Sequence, residues 1–145
     1  MFTGILLVLL SVSGFLISLY FTLVYYRRIP ANYFLVPRIC RMNESTCQTV
    51  LSTRDARALG VPNFLLGLPY YTLVCLAGLL VICGEHWEGI RLLFWLSALV
   101  VLLGVYLSYS LLFKIKISCP LCFASHVINA FITLFLYLQQ ISEKF

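Results

Sequence analysis

Charged residues leave four long gaps in this chain. Met1–Tyr26, Ala58–Gly84, Leu92–Phe113 and Ile117–Ser142 contain no Asp, Glu, Lys or Arg. A hydrocarbon layer of about 30 Å takes about 20 helical residues, so each gap can cross it as one helix. The pattern predicts an all-α integral membrane protein: a bundle of four transmembrane helices over about 2–26, 62–83, 90–113 and 120–140. The first run has no basic leader, is too long for a signal peptide and has no small-residue cleavage site, so it reads as a retained helix. It ends in Tyr25-Tyr26-Arg27-Arg28, an aromatic and cationic interfacial anchor, and Pro30 stops it.

Between the first two helices lies the one long hydrophilic segment, 27–61, too long for an idle connection in so compact a protein. Within it, Thr46–Leu59 has amphipathic helical spacing, Val50, Leu51, Ala58 and Leu59 against Arg54, Asp55 and Arg57, which predicts a short helix on the membrane surface. Pro62 suits the first turn of the second helix. Gly60, Gly67 and Gly78 allow close helix approach there, as do Gly104, Ser108 and Ser110 in the third helix. The short connections after the second and third helices imply antiparallel neighbours. There is no repeat, low-complexity segment or strand pattern, and the chain reads as one domain over 1–145.

Composition reinforces the pattern. The chain is 62% apolar and 10% charged, whereas soluble domains run at about 45–50% and 25%. Its net charge of +5 reflects membrane-flanking cations rather than nucleic-acid binding. Arg27, Arg28, Arg38, Arg41, Arg54, Arg57, Lys114 and Lys116 lie on one face, leaving Arg91 and Lys144 on the other with Glu85, Glu88 and Glu143. By the positive-inside rule, the face carrying the long loop is cytoplasmic.

The candidate chemistry is in the thiols. Of six cysteines, Cys75 and Cys83 read as packing residues in the second helix. The other four share the loop face: Cys40 and Cys47 in the loop, Cys119 and Cys122 opening the fourth helix. Cys119 falls near the N-cap and Pro120 at the first helical position, where the helix dipole and unpaired N–H groups favour a thiolate. Thiolate is the form that attacks disulfides, and Cys-x-x-Cys contexts lower its pKa further. A loop carrying two more thiols can deliver one to Cys119, the arrangement a two-step dithiol–disulfide relay requires.

Two static disulfides or a four-cysteine zinc site remain as alternatives, although the Cys40–Cys47 gap is wider than usual for zinc. Phe123 stands where a c-type haem motif needs His, which excludes haem. Because no nucleotide-binding fingerprint exists, a lipid-soluble quinone is the natural electron acceptor. Asn63, His126 one turn past Cys122, and Asn129 three further on are polar groups at membrane depth that could hold its carbonyls.

These residues resemble the vitamin K epoxide reductase family. The matching features are Cys40…Cys47, Val61-Pro62-Asn63-Phe64-Leu65-Leu66-Gly67, Gly104-Val105-Tyr106-Leu107, and Cys119-Pro120-Leu121-Cys122 with Asn129. The likeness spans nearly the whole chain. The DsbB type of bacterial quinone reductase, with Cys-x-x-Cys in its first loop, is a weaker match.

The resemblance implies a four-helix bundle around a quinone of the ubiquinone, menaquinone or vitamin K type. Cys40 would exchange with a thioredoxin-like protein, Cys47 would pass electrons to Cys119, and Cys122 would reduce the quinone. Asn63 matches the family's quinone-binding asparagine, and Leu66, Tyr70 and Leu107 match pocket-lining positions. His126 stands where vertebrate members have a quinone-contacting tyrosine. Many prokaryotic members carry a fused thioredoxin-like domain; here that partner is expected to be separate.

The expected activity is therefore quinone-linked thiol oxidation supporting disulfide formation. The alternatives are reduction of vitamin K or its epoxide, as in animal members, or a structural membrane protein with static disulfides or zinc. The resemblance places the cysteines outside the cytosol, in the plasma or inner membrane of a prokaryote or the endoplasmic reticulum of a eukaryote, against the charge rule.

Overall fold

The computed structural model describes residues 1–30, 53–58, 60–116 and 119–145. Four helices dominate: α1 (Phe2–Tyr25), α2 (Asn63–Ile82), α3 (Gly89–Tyr109) and α4 (Pro120–Lys144). Each is long and apolar enough to cross a membrane. The protein is a multi-pass integral membrane helical bundle. Cys40 and Cys47 lie outside the described residues, as does the stretch 46–52 of the anticipated surface helix.

The helix ends follow from local chemistry. Beyond α1, Arg27 takes the left-handed conformation (φ 55°), so that Arg27 N–H reaches Val24 O and Arg28 N–H reaches Leu23 O. These bonds satisfy carbonyls that would otherwise end unpaired. Gly84 (φ 77°) does the same for α2, with Gly84 and Glu85 donating back to Val81 and Leu80. At its far end α3 widens into a π-helical segment, Ser110–Ile115, closed by left-handed Lys116. α4 extends to Lys144, further than the charge pattern predicts, because Glu143 and Lys144 continue its last turn at the water boundary.

Two local expectations are corrected. The loop before α2 contains a short antiparallel pair, β1 (Arg57–Ala58) with β2 (Val61–Pro62), where no strand pattern is visible in the sequence. Only the Gly60 turn, at φ 80°, allows so tight a reversal. Pro62 therefore precedes α2 in an extended conformation instead of entering its first turn. Within 53–58 the helical portion of the loop is the single 3-10 turn Arg54–Ala56, and the strand pair ends it earlier than the amphipathic spacing implies.

α1 packs along α2 and also against α4, while α4 packs against α3. Where α1 and α2 meet, the backbones touch: a Cβ on Gly4 would lie 2.7 Å from Gly78 O. In lipid such close approach, with its dispersion contacts, is a principal source of helix association. The short 83–88 connection predicts α2 and α3 as packed partners as well. Among the described residues they instead make few close backbone approaches and splay apart around a cavity. Below it, Leu7, Tyr71, Val74, Ile132 and Leu136 form a close-packed core. Tyr20, Phe21, Val24, Leu111 and Cys119 form a second cluster on the loop side.

Candidate active site

Cys119 and Cys122 are joined as a disulfide, with Cα atoms 5.2 Å apart. The sequence places them so for a local reason. Pro120 needs no N–H partner in the first turn of α4, which leaves Cys119 extended at the N-cap, its sulfur accepting the Cys122 N–H at 3.3 Å. Cys119 is 0% exposed, sealed among Tyr20, Phe21, Val24 and Leu111. Cys122, one turn on, forms part of the cavity wall. The other cysteines with described positions are unpaired: Cys75 is half-buried and Cys83 is exposed rather than packed.

The cavity has a volume of about 700 Å³ and is bounded by all four helices and by Thr53 and Asp55 of the loop. Asn63, Leu66, Tyr70, Leu107 and His126, the residues expected to contact a quinone, all line it with Cys122. Its walls are largely aliphatic. Leu66 on α2 and Leu96, Leu99 and Leu103 on α3 line it while remaining 38–54% exposed, so the gap between those helices opens sideways toward lipid.

Polar groups sit at two levels. Near the loop, Asn63 Nδ2 donates to Asp55 O at 3.4 Å. The Asp55 carboxylate accepts from Ser110 Oγ and from the Tyr106 hydroxyl at 3.2 Å, with Lys114 Nζ 3.5 Å away. These donors, the Ser110 hydroxyl first, hold the Asp55 carboxyl below its usual range. About two turns deeper, Tyr71 donates to Asn129 Oδ1 at 2.8 Å, and Ser125 lies 3.1 Å from the same hydroxyl. Tyr70 donates to Ser97 at 2.9 Å and ties α2 to α3 where their gap closes.

His126 differs from these satisfied groups. Its Nδ1 is buried with no hydrogen-bond partner among the described residues. Gly104 on α3 makes room for the ring, since a Cβ there would lie 2.8 Å from Nδ1. An unpaired polar atom in a largely apolar chamber is costly unless something polar shares the space. Among the described residues no three His, Cys, Asp or Glu side chains come together to hold a metal.

Sequence reasoning did not identify Asp55, Ser110, Tyr71 or Ser125 as cavity residues. Tyr71 and Ser125 carried one available signal: like Asn129, they are polar side chains inside uncharged membrane runs. Ser110, by its size, signals only a small contact in the sequence.

An apolar chamber inside a membrane bundle, with one sulfur of a disulfide in its wall, is the arrangement of an integral membrane redox protein. The sequence matches the profile of the vitamin K epoxide reductase family over residues 5–137, nearly its whole length, and the protein belongs to that family. It is accordingly an oxidoreductase of a quinone-associated family. Comparison with individually curated proteins returns no match.

Proposed function

We propose that the protein carries electrons from a thioredoxin-like protein, through Cys40 and Cys47 and then Cys119 and Cys122, to a quinone in the cavity, so supporting disulfide formation. One observation carries the reading: Cys122 lines the same chamber as Asn63 and the unpartnered Nδ1 of His126. The fit is chemical as well as spatial. Small-molecule sites are typically largely apolar, with volumes of about 300–1,000 Å³ and a few placed polar groups. The sideways opening between α2 and α3 suits a ligand with an isoprenoid tail. Asn63 has one amide N–H engaged by Asp55 O and a second to offer a carbonyl.

A bound quinone supplies a two-electron, two-proton acceptor. The residues do the rest. The Cys47 thiolate attacks Cys119, forming a Cys47–Cys119 disulfide and releasing Cys122 as a thiolate. Cys40 then attacks Cys47, forming Cys40–Cys47 and freeing Cys119. When the Cys119–Cys122 bond re-forms, its two electrons and two protons pass to the acceptor. The N-cap position of Cys119 stabilises it as the leaving thiolate. Its complete burial favours a relay by a thiol of the same chain over direct attack by a bulky partner.

Cys122→Ser is expected to abolish dithiol-driven quinone reduction by purified protein. Cys47→Ser is expected to trap a mixed disulfide between Cys40 and a thioredoxin-like protein. Full quinone reduction in every single-cysteine variant would sink the relay. Turnover of an epoxide by the purified protein would favour the vitamin K reading. The loop face is assigned outside the cytosol on family grounds, against the charge asymmetry. Labelling of Cys40 and Cys47 by a membrane-impermeant thiol reagent in intact cells tests that assignment.

A further inference from the structure

We infer that Asp55 is a positioning residue: it bolts the loop across the loop-side end of the cavity and sets the Asn63 amide there. The inference rests on the quinone reading of the cavity and assigns a role to a residue outside the thiol relay.

α2 and α3 splay apart on the loop side, and little in their own backbones holds them at a fixed separation. The turn Arg54–Ala56 spans that gap. Its central residue uses both of its acceptor groups, one toward each helix. The Asp55 backbone carbonyl takes the Asn63 Nδ2–H at the start of α2. The Asp55 carboxylate takes Ser110 and Tyr106 of α3, with Lys114 beside it. A third tie runs to α1, where Arg57 Nη2 lies 3.5 Å from the Tyr25 hydroxyl. The turn is thus fastened to α2 and the α3 side through Asp55, the strand that follows it is tied to α1 through Arg57, and Thr53 and Asp55 form part of the chamber wall.

The π-helical geometry of Ser110–Ile115 belongs to the same device. Such segments are rare and concentrate at functional sites. Here the widened turns place Ser110 against the cavity, 1% exposed, while Lys114 stays at the surface beside the same carboxylate. Tyr106 links the two, accepting from Lys114 Nζ at 3.2 Å while donating to Asp55.

Proton delivery is the competing use for a carboxylate in this place. Asp55 is poorly suited to it, because its donors hold it ionised and leave few protons on it at neutral pH. Acceptor geometry is what the site exploits. A bolt of this kind acts on quinone capture: with it undone, Asn63 loses its orientation and the loop-side end of the cavity loosens, while the sulfur chemistry is untouched.

The test is steady-state reduction of a short-chain benzoquinone by detergent-purified protein, driven by dithiothreitol. Asp55→Asn is expected to raise KM for the quinone about tenfold, with kcat within about twofold, reflecting loss of hydrogen bonds to a charged acceptor. Ser110→Ala is expected to raise KM by a smaller factor and to add little in the Asp55→Asn background, because both variants remove one contact. Asp55→Glu should recover part of the loss.

An unchanged KM in Asp55→Asn overturns the inference. So does a collapse of kcat at unchanged KM, the signature of a proton relay. If Asp55→Asn does not fold, a normal KM in Ser110→Ala is likewise decisive against the bolt. Absence of dithiol-driven quinone reduction in the unmodified protein would instead remove the quinone reading itself, a separate outcome.

Discussion

The two sides of α2 are built from similar residues and behave oppositely. Toward α1, glycines bring the backbones into contact: Gly4 against Gly78, and Gly14 beneath the ring of Tyr71. Toward α3, Leu66 and Tyr70 face Leu96, Leu99 and Leu103 across a chamber that closes only where Tyr70 reaches Ser97. Hydrophobicity does not separate the two sides, because lipid is as apolar as leucine. The presence or absence of side-chain bulk does. Small residues let helices meet; large ones with no complementary partner leave space, and that space is the one proposed to take a flat, lipid-soluble molecule.

The contrast can be broken from either side. The largest expected effect is on the seam. A Cβ at Gly78 would already lie 2.9 Å from Val8 Cγ2 and 3.0 Å from Gly4 O. Gly78→Leu should therefore destabilise the protein by about 3 kcal/mol or more, read as a lowered midpoint of thermal unfolding in detergent. An unaltered midpoint would mean that the seam is not the source of helix association.

An intermediate effect is expected in the cleft, with a different signature. Leu103→Trp places bulk where space exists, so the unfolding midpoint should hold while most quinone reduction is lost. Parallel loss of stability and activity would show that the cleft is ordinary core. The smallest effect is at the point where cleft gives way to core. Tyr70→Phe removes the bond to Ser97 and leaves a buried hydroxyl unpaired, costing about 1 kcal/mol or less. Quinone turnover should change little.

How much of this was legible depended on what each residue type announces. The four helices were readable because charge is excluded from lipid, and the gaps between charges set their number and approximate place, though not the end of α4. The N-cap geometry of Cys119 was readable because Pro120 marks the first helical turn. The separation of α2 from α3 was not, since a short connection suggests neighbours and the sequence carries no signal for missing contact. Asp55 was hidden for another reason: an acid in a hydrophilic loop reads as solvated, and its partner Ser110 lies 55 residues away in a run of leucines. Nothing in the sequence distinguishes Tyr71 from its neighbour Tyr70. One donates toward α3 and the other toward α4, a division set by helical rotation that two adjacent tyrosines do not reveal.

The complete burial of Cys119 bears on insulation. A membrane quinone pool is a shared reservoir of oxidising power, and a freely exposed disulfide in contact with it would drain that reservoir into any small thiol that drifted past. Under the proposed relay, one sulfur walled in by Tyr20, Phe21, Val24 and Leu111, with its mate facing a chamber that opens to lipid, favours entry of current through a thiol that the protein itself presents. On that reading, the same packing that stabilises the start of α4 would also guard against a short circuit.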